Sequence, residues 1–183
     1  MNSTTPTTRT RAERARPAEP DPLVGLGPVA APHTRLLVLG SFPGAASLCA
    51  QQYYAHPRNQ FWPLLGAIWQ IDLLALPYTQ RLAVLRRHGL GLWDVHACCR
   101  REGSLDSAIR NAEPNDLPGL VARLPALRAI AHNGGESARA MRVTGSLGLP
   151  VLRLPSTSPA NASWSFVRKL AAWREAFEAH GLA

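Results

Sequence analysis

The stretch YYAHPRNQFW, Tyr53 to Trp62, places four aromatic side chains, a His, an Arg and an Asn side by side, with no carboxylate among them. Residues of these types stack on flat rings, orient a water molecule or hold a phosphate. They do not supply a carboxylic acid. Upstream, LGSFPGAAS carries Gly40, Ser41, Phe42, Pro43 and Gly44 in a turn-forming run. Its glycines allow positive φ and a close backbone approach to a ligand. The run lacks the Gly-Lys-Ser/Thr ending of a phosphate-binding P-loop, and it does not match G-x-G-x-x-G. A structural turn and a binding turn are equally good readings of it.

A third run, LPSTSPAN from Leu154 to Asn161, offers the hydroxyls of Ser156, Thr157 and Ser158 ahead of a helix. Free N–H groups at a helix start attract phosphate. Ser163 as an N-cap of that helix explains the same residues without a ligand, and the two are compatible. Asn59 likewise has two readings: a polar group for chemistry, or the cap of the helix that QFWPLL begins. Asp94 in GLWDV and Asn133 in HNGG both stand at the ends of apolar runs. For each, a strand-end or turn role competes with a role in a site.

These residues need a frame to bring them together. RLLVLG, GLWDV, LRAIAHNGG and LPVLRLP are short apolar runs that read as four buried strands. FWPLLGAIWQI, TQRLAVLRRHG with Thr79 as its cap, NDLPGLVARLP, ESARAM and residues 163–180 read as helices between or after them. CCRREGSLDS reads as a loop. Alternating strands and helices predict an α/β chain: a three-layer αβα sandwich around a central, mostly parallel four-stranded sheet. Ligands in such folds bind beyond the carboxyl ends of the strands, where GSFPG, WDV, HNGG and LPSTSPAN fall.

The chain has 183 residues and is 46% hydrophobic, enough for one packed domain. Residues 33–183 are expected to form it, and residues 1–32, rich in Thr, Pro and Arg, to be a disordered basic tail. No apolar run reaches membrane-spanning length, so no membrane partner and a cytoplasmic, nucleoid-associated location are expected. The net charge of +8 favours a polyanion as partner. Cys49, Cys98 and Cys99 make neither a disulfide framework nor a metal-binding pair, so neither a metal nor a cofactor is expected.

LGSFPG, YYAHPRNQFWPLLG, GLWDV…GSLD and LPSTSPAN together resemble the uracil-DNA glycosylase superfamily, and within it the hypoxanthine-DNA (deoxyinosine) glycosylase family. The likeness runs from about Thr34 through most of the chain. AHPRNQFW is also similar to a stretch of mismatch-specific uracil and thymine glycosylases. Those relatives carry a water-positioning Asn in the first motif, where this chain has Phe42, and many members carry a His where it has Leu154.

The resemblance implies an enzyme that rotates a deaminated base, hypoxanthine before uracil or xanthine, out of double- or single-stranded DNA and hydrolyses its N-glycosidic bond; a monomer is expected. It implies Asn59 as the catalytic residue. Gly40, Ser41, Phe42, Pro43, Gly44, Tyr54, His56, Phe61 and Asn133 are the implied base pocket, and Ser47, Arg58, Ser156, Thr157, Ser158 and Asn161 the implied DNA contacts. Tyr53 and Tyr54 cannot both face inward from an extended chain, so one of them at most is expected to stack. Such chemistry tolerates the lack of an acid. The base leaves with a delocalised charge that hydrogen bonds can stabilise, and water attacking a cationic sugar needs positioning more than deprotonation. The only lysine, Lys169, falls within the last helix, where a solvated or phosphate-facing role is expected rather than Schiff-base chemistry. A uracil-preferring enzyme and a noncatalytic DNA- or nucleotide-binding module of the same fold are the alternatives.

Overall fold

The computed structural model describes residues 21–183. Strand β1 (Leu23–Val24) is followed by β2 (Leu36–Gly40), α1 (Ala45–Ala50), α2 (Phe61–Trp69) and α3 (Tyr78–Arg87). Then come β3 (Leu90–Asp94), β4 (His96–Arg100), β5 (Arg110–Pro114), α4 (Leu117–Ala122), β6 (Ala129–Asn133), α5 (Met141–Gly145), β7 (Val151–Leu154) and α6 (Phe166–Ala179).

The four apolar runs form one parallel sheet in the order β3-β2-β6-β7. Its centre is apolar on both faces because the alternating positions of β2 feed two different cores. Leu36 and Val38 pack with Phe61, Leu65, Trp173 and Phe177 from α2 and α6. Leu37 and Leu39 pack with Leu117, Leu120 and Leu124 of and beyond α4. Helices therefore cover both faces of the sheet, giving the expected three layers. Trp62, Trp69 and Trp173 sit in the first core, and each indole N–H reaches a backbone carbonyl, those of Tyr53, Leu182 and Pro155. Buried indoles require such partners.

Register brings the strand ends into one row. Gly40 stands opposite Asp94, and Asn133 opposite Leu154. The turn after β2, the loop after β6 and the loop after β7 all leave this edge.

Several local expectations are corrected. The segment expected as a loop after GLWDV begins inside β4, which pairs antiparallel with β5 and with β1 in a second, three-stranded sheet. Residues 1–20 of the expected tail lie outside the described residues, but its end belongs to the domain: β1 pairs with β4, and buried Val29 bridges to Leu92. Pro77, not Thr79, precedes α3, and Ser165 rather than Ser163 caps α6, accepting the N–H of Arg168. ESARAM winds first as a tight 3-10 turn, Ser137–Ala140, before α5.

No helix among the described residues is long and apolar enough to cross a membrane.

Candidate active site

A cleft of about 830 Å3 opens at the carboxyl edge of the parallel sheet. The turn 40–47, the loop holding Tyr53, Tyr54, His56 and Asn59, the loop 104–107 and the segment 153–161 all line it.

The local backbone explains how the YYAHPRNQFW run is shaped. Tyr54 has φ +56°, a left-handed conformation uncommon for an aromatic residue. That bend turns both tyrosines inward, because the backbone there is not extended and the alternation expected of a strand does not apply. Tyr53 is 3% exposed and its hydroxyl donates to the carbonyl oxygens of Leu26 and Gly27. Tyr54 stacks on Phe61 with ring centroids 3.9 Å apart, and its hydroxyl accepts from Asn133 Nδ2 at 3.1 Å. Burial and the neighbouring Asp94 push the Tyr54 phenol far above its ordinary range, so it stays protonated.

Phe61 is therefore removed from the base pocket. It is fully buried, covered by Tyr54 on one side and edge-on to Trp62 and Trp173. Phe42 does line the cleft, with the Arg101 guanidinium 5.1 Å from its ring centroid.

Asn59 is half-buried and lines the cleft. Its Oδ1 accepts the Phe61 N–H at 3.0 Å, so the capping reading describes one of its bonds. A carbonyl oxygen has two lone pairs, and that bond fixes the direction of the second. His56, also lining the cleft, accepts the Arg58 N–H on Nδ1. Arg58 itself is exposed and outside the lining.

Three residues expected to contact the ligand hold the site together. Asn133 Nδ2 donates to Tyr54 and to Thr157 Oγ1, while its Oδ1 accepts the Thr157 N–H. With both amide hydrogens committed, Asn133 positions Tyr54 and Thr157 at the cleft wall, which it also lines. Thr157 is fully buried; its hydroxyl accepts from Asn133 and its carbonyl accepts the Gln60 N–H. Ser47 is buried too, with its Oγ taken by the Ala55 N–H.

Ser156 and Ser158 are half-buried and accept N–H groups two residues ahead, a pair of local turns that shape the segment. Asn161 ties back to the Ser156 carbonyl. Lys169 corrects a further expectation. It is 2% exposed, and its ammonium donates to Gln60 Oε1 at 2.8 Å and to the Asn161 carbonyl at 3.0 Å. The solvated or phosphate-facing lysine is instead an internal strut between two cleft loops, and burial lowers its pKa.

The expectation of a site without an acid is also overturned. Asp94 lines the cleft at 4% exposure, and Asp106 joins it from the loop between β4 and β5. Asp106 Oδ1 accepts the Ser41 hydroxyl at 2.7 Å, and Ser104 Oγ accepts the Ala45 N–H at 3.0 Å. These bonds lay the second sheet's loop across the first turn. Sequence spacing gave no hint of this, because the contacts join residues about sixty positions apart. Among the described residues no group of three or more His, Cys, Asp or Glu side chains is arranged to hold a metal.

Residues 28–179 match the family model described as the uracil DNA glycosylase superfamily. A protein of Methanosarcina barkeri named hypoxanthine DNA glycosylase is 38% identical over 84% of this chain and 97% of its own length. A protein of the same name from Methanosarcina acetivorans is 38% identical over 79% of this chain and 91% of its own. The solution NMR structure of a candidate uracil DNA glycosylase from Methanosarcina acetivorans superposes with a TM-score of 0.76 at 36% identity, covering 85% of this chain and 98% of that one. With the match spanning the parallel sheet and every loop of the cleft, the chain belongs to the uracil DNA glycosylase superfamily.

Proposed function

We propose that this protein is a DNA glycosylase that hydrolyses the N-glycosidic bond of a deaminated base, with hypoxanthine as its principal substrate, and leaves an abasic site. The observation that carries the mechanism is Asn59: a half-buried amide at the cleft wall whose carbonyl is aimed by the Phe61 N–H. Hypoxanthine is preferred to uracil because both Methanosarcina relatives bear that name.

In this reading a base rotated out of DNA enters the cleft and lies against Phe42 and Tyr54. The free lone pair of Asn59 Oδ1 holds a water beneath the sugar as the glycosidic bond lengthens. Attack on an oxocarbenium-like carbon needs this placement, and the water sheds its proton afterwards. Backbone N–H groups of the turn 41–44 stabilise the negative charge that collects on the leaving base. The chain's net charge of +8 draws in the phosphate backbone. Lys169, being buried and hydrogen-bonded, does not attack the sugar.

The test is base release from duplexes carrying a single inosine, uracil or xanthine, followed by alkaline cleavage at abasic sites. Inosine duplexes should be cut fastest, and Asn59→Ala should lose release by at least about a hundredfold while still binding DNA. Binding without abasic sites on any substrate would instead mark a noncatalytic module.

A further inference from the structure

Asp94 ends β3 directly opposite Gly40, and it is nine-tenths buried at the floor of the cleft. Its Oδ2 has no hydrogen-bond partner. Its Oδ1 occupies the space above Gly40, where any Cβ would collide with it, and the Tyr54 hydroxyl borders the same space. The strand-end role weighed against chemistry is filled by a different atom: the Asp94 backbone carbonyl accepts Asn115 Nδ2 at 2.9 Å. A buried carboxyl oxygen without a partner is costly, and in a native fold it calls for a reason. Here it borders a cavity sized for a ligand.

Hypoxanthine, xanthine and uracil share one edge that adenine and cytosine lack, a ring carbonyl beside a ring N–H. A protonated carboxyl group carries the complementary pair, an O–H donor and a C=O acceptor on one carbon. We propose that Asp94, in its protonated form, is the residue that reads the flipped base, donating its O–H to the ring carbonyl and accepting the ring N–H on its other oxygen. This rests on the glycosylase reading above and names the group that recognises the substrate.

The surroundings favour the protonated form. Burial and the nearby Asp106 raise the Asp94 pKa to about 7, against the pull of Arg101 and of the Tyr53 hydroxyl beside it. Tyr53 and Tyr54 also face it, and both phenols remain neutral. Gly40 is part of the same arrangement, since only a residue without a side chain leaves the carboxyl its place.

The experiment is single-turnover base release from an inosine duplex between pH 5.5 and 9, with wild type, Asp94→Ala and Asp94→Asn. DNA affinity and thermal melting are measured for each. Wild-type release should fall about tenfold per pH unit above about 7, as the carboxyl loses its proton. Asp94→Ala should lose release by about a hundredfold with DNA affinity kept. Asp94→Asn, whose amide retains a donor and an acceptor, should recover most of that loss and abolish the alkaline fall. A duplex carrying 1-methylhypoxanthine, which lacks the ring N–H, should be a poor substrate for wild type.

Wild-type release that Asp94→Ala leaves undiminished would overturn the role of Asp94 alone. So would a wild-type rate that rises through pH 7 and is lost in Asp94→Asn, because the carboxylate would then be acting as a base. A wild-type chain that releases no base from any of the three deaminated duplexes would overturn the glycosylase reading, and this assignment with it.

Discussion

Asn133 and Thr157 clasp each other in both directions: the amide donates to the Thr157 hydroxyl, and the Thr157 N–H returns to the amide oxygen, each at 3.0 Å. Tyr54 joins the clasp through its hydroxyl, and Gln60 through the Thr157 carbonyl. Asn133→Ala breaks three hydrogen bonds and leaves a buried N–H and a phenol short of partners. A loss of about 2–4 kcal/mol is expected in urea unfolding, with base release falling in parallel.

Gly40→Ala drives a methyl group into the Asp94 carboxyl. The side chain has to leave the cleft floor, so release from an inosine duplex should drop by about tenfold or more, with DNA affinity little changed. Fluorescence anisotropy beside a single-turnover assay separates the two.

Two buried groups set opposed pH slopes on stability. His132 is fully buried between Ser137 and Thr144, and burial lowers its pKa to about 4. Between pH 6.5 and 4 the unfolded chain binds a proton that the folded one refuses, so acid destabilises the fold through His132. Asp94, raised to about 7, works the other way: the folded chain holds a proton that the unfolded chain has shed, so its contribution improves as pH falls from 7 to 4. At ~1.4 kcal/mol per unit each effect amounts to about 3–4 kcal/mol, and the two largely cancel. Asp94→Asn should therefore be more stable than wild type at pH 8 and lose stability more steeply below pH 6.5. Urea denaturation at pH 4.5, 6 and 8 checks both signs.

Lys169 is the only lysine, and its ammonium is enclosed by Gln60 and Asn161. Borohydride reduction during turnover should trap no covalent adduct between this side chain and DNA. Lys169→Met leaves two half-buried acceptors without this partner and should lower the melting temperature by several degrees.

Removing residues 1–20 discards four arginines and leaves every contact described above in place. Melting should be unchanged, while nonspecific DNA affinity weakens and its salt dependence becomes shallower. Removal through Pro32 also strips the β1–β4 pairing and buried Val29, and should destabilise the domain.

The parallel sheet was legible because its strands are apolar on both faces, as the runs LLVLG and AIAHN display. The second sheet was not. HACCR and RNAEP lack alternating apolar residues and become strands only by pairing with distant partners. The cleft loops were legible from composition, since Gly, Pro, Asn and hydroxyl residues cluster there. What composition could not give was direction. Thr157 and Ser47 turn inward, Phe61 is capped by Tyr54, and Asp94 reaches the cleft floor only because Gly40 stands beside it.

The mutual grip of Asn133 and Thr157 has a consequence for how the protein comes into being. Segments around positions 54–60, 133 and 157 complete one another, and the strut from Lys169 arrives later still. A ribosome must therefore deliver the chain past position 157 before the clasp can close, and a fragment ending short of the seventh strand lacks Thr157 and with it one wall of the cleft. The cleft is thus a product of the chain's two halves together, closed by residues from its last thirty positions.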